Sequence, residues 1–360
     1  MTIERKVGMG IAGQPSGGAA DVAEVFSTYL YTGTGATRTI TNGIDLAGEG
    51  GLVWIKGRNQ VYSHQIFDTE RGATQRLEAD GTGGQVAKTN SLTSFNSNGF
   101  SLGSENDVNS GNPYDFASFT FRKKSGFFDC VTWTGNGVHG RAIAHGLNGP
   151  VGMIIIKRTD AVGYWATTHK NSAPLTLNTS LEDNNTASVQ NGYAPPGSLS
   201  ETTFTLYHYN SNMDAVNASG GTYVAYLFAD NSAEDADDQM IKCGSYTGNG
   251  SAGHEINLGW EPQFIIQKHT SGASNWQMYD SMRGVTTGGN DSRLYPNLSN
   301  AEDSSEKIEF NSTGFSLMST SGHTNQSGQT YIYMAIRAPM MVEPEAATDV
   351  FAIDTIGATN

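Results

Sequence analysis

One short run of residues occurs three times in this chain, and it restricts the possible folds more than any other feature. Tyr31-Thr32-Gly33-Thr34-Gly35 returns as Trp133-Thr134-Gly135-Asn136-Gly137 and again as Tyr246-Thr247-Gly248-Asn249-Gly250, roughly 100 to 115 residues apart. About twenty residues after each copy comes an apolar run ending in lysine: Leu52 to Lys56, Met153 to Lys157 and Phe264 to Lys268. A third landmark, Gly99-Phe100-Ser101-Leu102, is matched by Thr203-Phe204-Thr205-Leu206 and Gly314-Phe315-Ser316-Leu317. The unit closes with segments rich in aromatic residues on a period of two, Tyr114 to Phe121, Tyr223 to Phe228 and Tyr331 to Ile336. Four landmarks in one order, three times over, define repeats at 25–124, 127–231 and 240–339, joined by short polar connectors such as Asn231 to Asp238.

Every apolar run is short and ends at Gly, Asn, Ser or Pro, and no helical period extends over a full helix length. Alternation in the third and fourth landmarks is that of half-buried strands. With 44 Gly among 360 residues and only 16% charged residues, the composition suits many strands joined by many turns. The expected fold is all-β: three tandem antiparallel β-sandwich or jelly-roll domains, each with its own core. An extended N-terminal docking arm at 1–24 and a C-terminal arm at 340–360 flank them. A repeat of this length is too long for a solenoid coil or a propeller blade.

The net charge of −14 would repel nucleic acid over most of the surface. No apolar run is long enough for a membrane span or for the core of a secretory signal, so neither membrane insertion nor export is expected. The abrupt end at Ile356 to Asn360 fits a piece of a longer protein. Two cysteines cannot form a disulfide scaffold. Cys130 and Cys243 hold equivalent positions in the second and third repeats and are expected to be separate, buried, free thiols.

Candidate chemistry is sparse. Glu105-Asn106-Asp107 and the Glu234 to Asp238 cluster carry oxygens of the kind calcium prefers, without the spacing of a defined calcium loop. The eight histidines show no zinc spacing, and His169 takes the repeat position held by Asp68 and Asp280. Asp68 and Glu70 beside Arg71 are the one carboxylate pair that a polysaccharide-cleaving enzyme would use, and no local catalytic signature accompanies them. The middle repeat has no arginine matching Arg71 or Arg283. The Gly-Thr-Gly and Gly-Asn-Gly runs read as tight turns, since no helix follows to make a phosphate loop. No catalytic residue, metal or cofactor is expected. Trp54 and Trp133 read as core; Trp165 and Trp276 follow polar turns at matching positions, either as core plugs or as a platform on which a sugar ring stacks.

Taken together, the aromatic-Thr-Gly opening, the strand ending in lysine, the Gly-Phe-Ser-Leu strand and the aromatic closing strand resemble a domain of unknown function found in virion proteins of marine tailed phages. The resemblance covers Phe26 to Pro339. It implies a lectin-like (concanavalin A-like) or jelly-roll sandwich with a non-enzymatic structural role on the outside of the virion, as a tail fibre or other tail appendage. A capsid decoration, a carbohydrate-binding receptor-recognition module and, last, a polysaccharide depolymerase are the alternatives. The implied partners are other virion structural proteins, copies of itself in a homo-oligomer such as a trimer, and host surface polysaccharide. Such a protein is made in the host cytoplasm and carried on the particle surface.

Overall fold

The computed structural model describes residues 22–180, 199–207, 216–235, 238–285, 291–306 and 308–339. Apart from the first turn at Val22 to Glu24, the two expected arms lie outside the described residues.

The protein is all-β, and its sheets are antiparallel. Each repeat contributes one main sheet with the strand order opening, closing, central, edge. The opening strands are Phe26–Thr32, Phe128–Thr134 and Ile241–Thr247; the closing strands are Asp115–Arg122, Thr222–Ala229 and Thr330–Arg337. The central strands Gly51–Gly57, Val151–Arg158 and Pro262–His269 carry the apolar runs ending in lysine. Outside them lie the edge strands Gln65–Asp68, Trp165–His169 and Gln277–Asp280. Registers match from repeat to repeat: Leu52, Met153 and Phe264 pair with Phe121, Phe228 and Ile336 on the closing strand, and with Asp68, His169 and Asp280 on the edge strand. His169 thus does stand where the other repeats have aspartate.

A smaller sheet covers the outer face of each main sheet. In the first and third repeats it has three strands, built on Gly99–Leu102 and Gly314–Leu317; in the second, Arg141–Ala144 pairs with Thr203–Leu206. Between the two layers sits an outer core, with Ile40, Val53, Phe100 and Phe116 in the first repeat and Ile256, Ile265, Phe315 and Tyr331 in the third.

The inner faces depart from expectation. They do not form separate cores but meet in one cluster that contains Trp54 and Phe121 of the first repeat, Ile155 and Phe228 of the second, and Phe264 and Met334 of the third. The Phe264 ring lies 5.3 Å from Phe26, 5.4 Å from Phe119 and 6.1 Å from Phe121, so the third repeat closes back onto the first. The chain is a ring of three sandwiches around a shared centre. The central strands show why: a sheet with one wet face alternates, whereas Gly51–Gly57 is buried at every position because both faces are covered. Each large apolar side chain buried there contributes roughly 1.5–3 kcal/mol. Splitting the ring would return three such faces to water.

Candidate functional site

Each repeat meets the next through the same set of side chains, and these seams gather most of the chemistry that the sequence singled out. The lysine one residue before the end of each central strand is fully buried and donates to backbone carbonyls of its own turn and of the neighbouring repeat. Lys157 Nζ reaches Gly163 O at 2.8 Å and Thr82 O of the first repeat at 3.0 Å. Lys268 reaches Ser274 O at 2.6 Å and Ser180 O of the second at 3.4 Å. Lys56 reaches Gly57 O at 2.9 Å and Ser299 O of the third at 3.2 Å, which completes the circle. Burial pushes the Lys56 and Lys157 ammonium groups down to about 8.

The first residue of each edge strand, or the residue just before it, follows the same rule. Trp165 Nε1 donates to the carbonyls of Glu78 and Gly81 at 3.0 and 3.1 Å, and Trp276 Nε1 to that of Thr176 at 3.0 Å. Their own backbone N–H groups are capped within the repeat by Asn178 and Asn297. In the first repeat His64 takes this place, capped by Asp80, with its imidazole against the Tyr295 backbone and burial holding it neutral. Trp165 and Trp276 are each 1% exposed, so the sugar-stacking platform considered for them is not formed: both rings face a neighbouring repeat instead of solvent.

Asp68 and Arg71 form a buried pair at 2.6 Å, and Tyr226 of the second repeat donates to the same carboxylate at 2.6 Å. Asp280 and Arg283 repeat the pair in the third, with the guanidinium 5.7 Å over the Phe119 ring of the first. His169 replaces the pair in the second repeat and bonds to Tyr333 O at 3.0 Å. Glu70 is bound to Lys123 at 2.8 Å. Asp68 is therefore closed off inside the seam, while Glu70 stays exposed in its ion pair. Glu105 and Asp107 turn to Lys88 and Arg76, each at 3.1 Å, and Asn231 donates to Glu234 at 3.2 Å. Among the described residues no group of three or more His, Cys, Asp or Glu side chains could hold a metal ion; residues 236–237 of the second acidic cluster lie outside them. Cys130 and Cys243 are free and buried, as expected.

The recurring opening motif is a clamp. Tyr31 Oη, Trp133 Nε1 and Tyr246 Oη donate to the carbonyls of Val108, Val216 and Thr324 at 2.7, 3.0 and 2.8 Å. The next residues, Asn109, Asn217 and Asn325, are fully buried and accept from the backbone N–H of Thr34, Asn136 and Asn249. A Cβ on Gly33, Gly135 or Gly248 would fall 1.8, 2.0 or 2.2 Å from a carbonyl oxygen, which is why the motif needs glycine there. Sequence reasoning missed these asparagines, although each lies two or three residues before a glycine that precedes a closing strand.

Two clefts flank the first and second repeats. One, of about 500 Å³, is lined by Lys123, Asp129 and His145. Lys123 bridges Glu70 and Asp129 there, and burial holds His145 below its ordinary pKa. The other, of about 380 Å³, runs along the seam and is lined by Arg71 and Gln85 of the first repeat and by Thr132, Thr134, Thr159 and Thr222 of the second. At the corresponding place on the seam between third and first repeats, Glu302 makes a two-pronged ion pair with Arg58 at 2.8 and 2.9 Å.

Residues 21–339 match a domain of unknown function (DUF7483), and the chain belongs to that family. One match runs through all three repeats, the span of the ring. No curated protein matches the chain.

Proposed function

We propose that this DUF7483 member is a non-enzymatic structural protein on the outside of a tailed-phage particle, part of a tail fibre or another tail appendage, that works as a rigid body. The observation that carries this reading is that the polar residues recurring from repeat to repeat reach across the seams to the neighbouring repeat. Lysine, tryptophan and the Asp-Arg pair are spent on holding three sandwiches together, as in an architectural element whose shape is its product. The link to a phage particle comes from the resemblance of the strand and turn landmarks.

The two ends of the described chain support a polarity for such a body. Phe26 touches Phe264, which pairs with Ile336, so the chain enters and leaves the ring at one end. At the other end the hairpin tips expose Val61 and Val162. Docking to other virion proteins through the first end, with self-association into a trimer, would present the hairpin tips outward.

Immunogold electron microscopy of intact particles, with antibodies raised against residues 25–339, tests the proposal. Gold on the tail or its fibres is the expected result. Label over the head would replace the appendage with a capsid decoration, and unlabelled virions would end the phage-surface reading.

A further inference from the structure

We infer that the groove on the seam between the first and second repeats binds a neutral, polyhydroxylated ligand, one or two hexose units of a polysaccharide. The equivalent seam between the third and first repeats shows what this groove lacks. Thr159 and Arg58 occupy the same repeat position, since the N–H of each donates to the closing strand, Thr159 to Thr222 O at 2.8 Å and Arg58 to Asp115 O at 2.7 Å. Gln85 and Glu302 are likewise equivalent: their N–H groups donate to Thr159 O and Arg58 O, each at 2.7 Å. An arginine and a glutamate therefore tie one seam by charge, where a short threonine and a neutral glutamine leave the other open.

The lining defines the chemistry of the occupant. Thr132, Thr134 and Thr222 are exposed, and Thr134 pairs directly with Thr222 across the strands, so their side chains share one face. The Thr222 hydroxyl lies 2.6 Å from that of the buried Thr159 behind it. Hydroxyls both donate and accept, and the exposed Gln85 amide adds one group of each kind, which matches the mixed hydrogen bonding of a sugar. Arg71 also lines the groove, but its charge is balanced by Asp68 at 2.6 Å, so an acidic ligand gains little there. A volume of about 380 Å³ lies within the roughly 300–1,000 Å³ of small-ligand pockets. The inference rests on the surface-display proposal only for the source of the sugar.

The test uses the full chain, with maltohexaose, cellohexaose and mannohexaose as neutral probes and oligogalacturonate as the acidic one, read by saturation-transfer NMR and calorimetry. The decisive variant is Thr159→Arg with Gln85→Glu, which transplants the ion pair of the other seam into the groove. Binding of a neutral oligosaccharide that weakens at least about tenfold in this variant is expected, with a melting temperature no lower than that of the parent. The conservative exposed changes Thr132→Val and Thr134→Val provide a second arm and should each weaken binding several-fold. No binding by any neutral probe, preference for the acidic one, or unchanged affinity in all variants would overturn the inference. Binding by a protein that immunogold does not find on virions would leave the groove standing and remove only the phage source.

Discussion

The Trp276 indole donates to the Thr176 carbonyl at 3.0 Å, joining the third repeat to the second, while Trp165 does the same from the second to the first. Each ring is almost fully buried and its N–H is satisfied, so it plugs a seam. Trp276→Ala is expected to cost about 3–5 kcal/mol by opening a cavity. Trp276→Phe keeps much of the apolar contact but leaves the carbonyl without its donor, at about 1–3 kcal/mol. Urea denaturation followed by circular dichroism measures both; a loss under about 1 kcal/mol for the alanine variant would mean that the indole does not hold the seam.

Because the inner faces of all three main sheets share one core, a single repeat cut out of the ring exposes a sheet face built for burial. Residues 127–231 alone are expected to aggregate or to lack a cooperative unfolding transition, whereas the full chain should unfold in one. Calorimetry of both separates the ring from three independent domains, which would give a cooperative transition for the fragment.

The repeat, the strand class and the matching places of Cys130 and Cys243 were legible because each is local: a glycine turn, a period of two, an offset from a landmark. Ring closure was not, since the landmarks would be the same in three beads on a string. One clue was present in the sequence. Met153 to Ile156 does not alternate, and an antiparallel strand without alternation is covered on both faces. Trp165 and Trp276 were ambiguous for the same reason: a tryptophan after a polar turn looks exposed until the neighbouring repeat that covers it is in place. The open groove could not be read at all, because Thr159 and Gln85 gain meaning only from their equivalence to Arg58 and Glu302.

Cys130 and Cys243 are buried in the shared core, and burial pushes both thiols well above their ordinary range. The thiolate is the reactive form, so Ellman's reagent should find no reactive thiol in the native protein and two in guanidinium chloride. Rapid reaction of either native thiol would contradict the closed core.

The asparagine clamp sets a different expectation. Asn217→Ala removes a buried amide that accepts from Asn136 N–H at 3.1 Å and donates to Val138 O at 2.9 Å. Leaving those groups unpaired costs about 1–3 kcal/mol each at most. Gly135→Ala should be more damaging, because the new methyl lies 2.0 Å from Ala218 O and the backbone has to move. Thermal melts that rank glycine above asparagine in damage would support the clamp; equal, small effects would count against it.

The buried seam groups also set the dependence of stability on pH, with a sign that follows from proton counting. Burial lowers the His169 imidazole to about 4, so as pH falls from about 6.5 the unfolded chain takes up a proton that the native ring refuses, and stability drops until about pH 4. Lys56 and Lys157 titrate near 8 in the ring against about 10.4 in the unfolded chain. Between those values the unfolded chain holds protons that the native chain has released, so the lysine contribution to stability climbs with rising pH, by at most about 3 kcal/mol per lysine. Below pH 8 these lysines are charged in both states and contribute no slope. Urea midpoints should therefore rise from pH 4 and level off near neutrality; above about pH 8.5 the Cys130 and Cys243 thiols, which the ring keeps protonated and the unfolded chain ionises, oppose the two lysines, so the lysine contribution is read as the difference between parent and variant. Lys157→Met should lower the alkaline slope relative to the parent and leave the acid limb, while His169→Gln should make the acid limb shallower, with His64 and His145 keeping part of it, and leave the alkaline one. An alkaline slope in Lys157→Met equal to or above that of the parent would show that the carbonyls around this ammonium group stabilise its charged form more than burial opposes it.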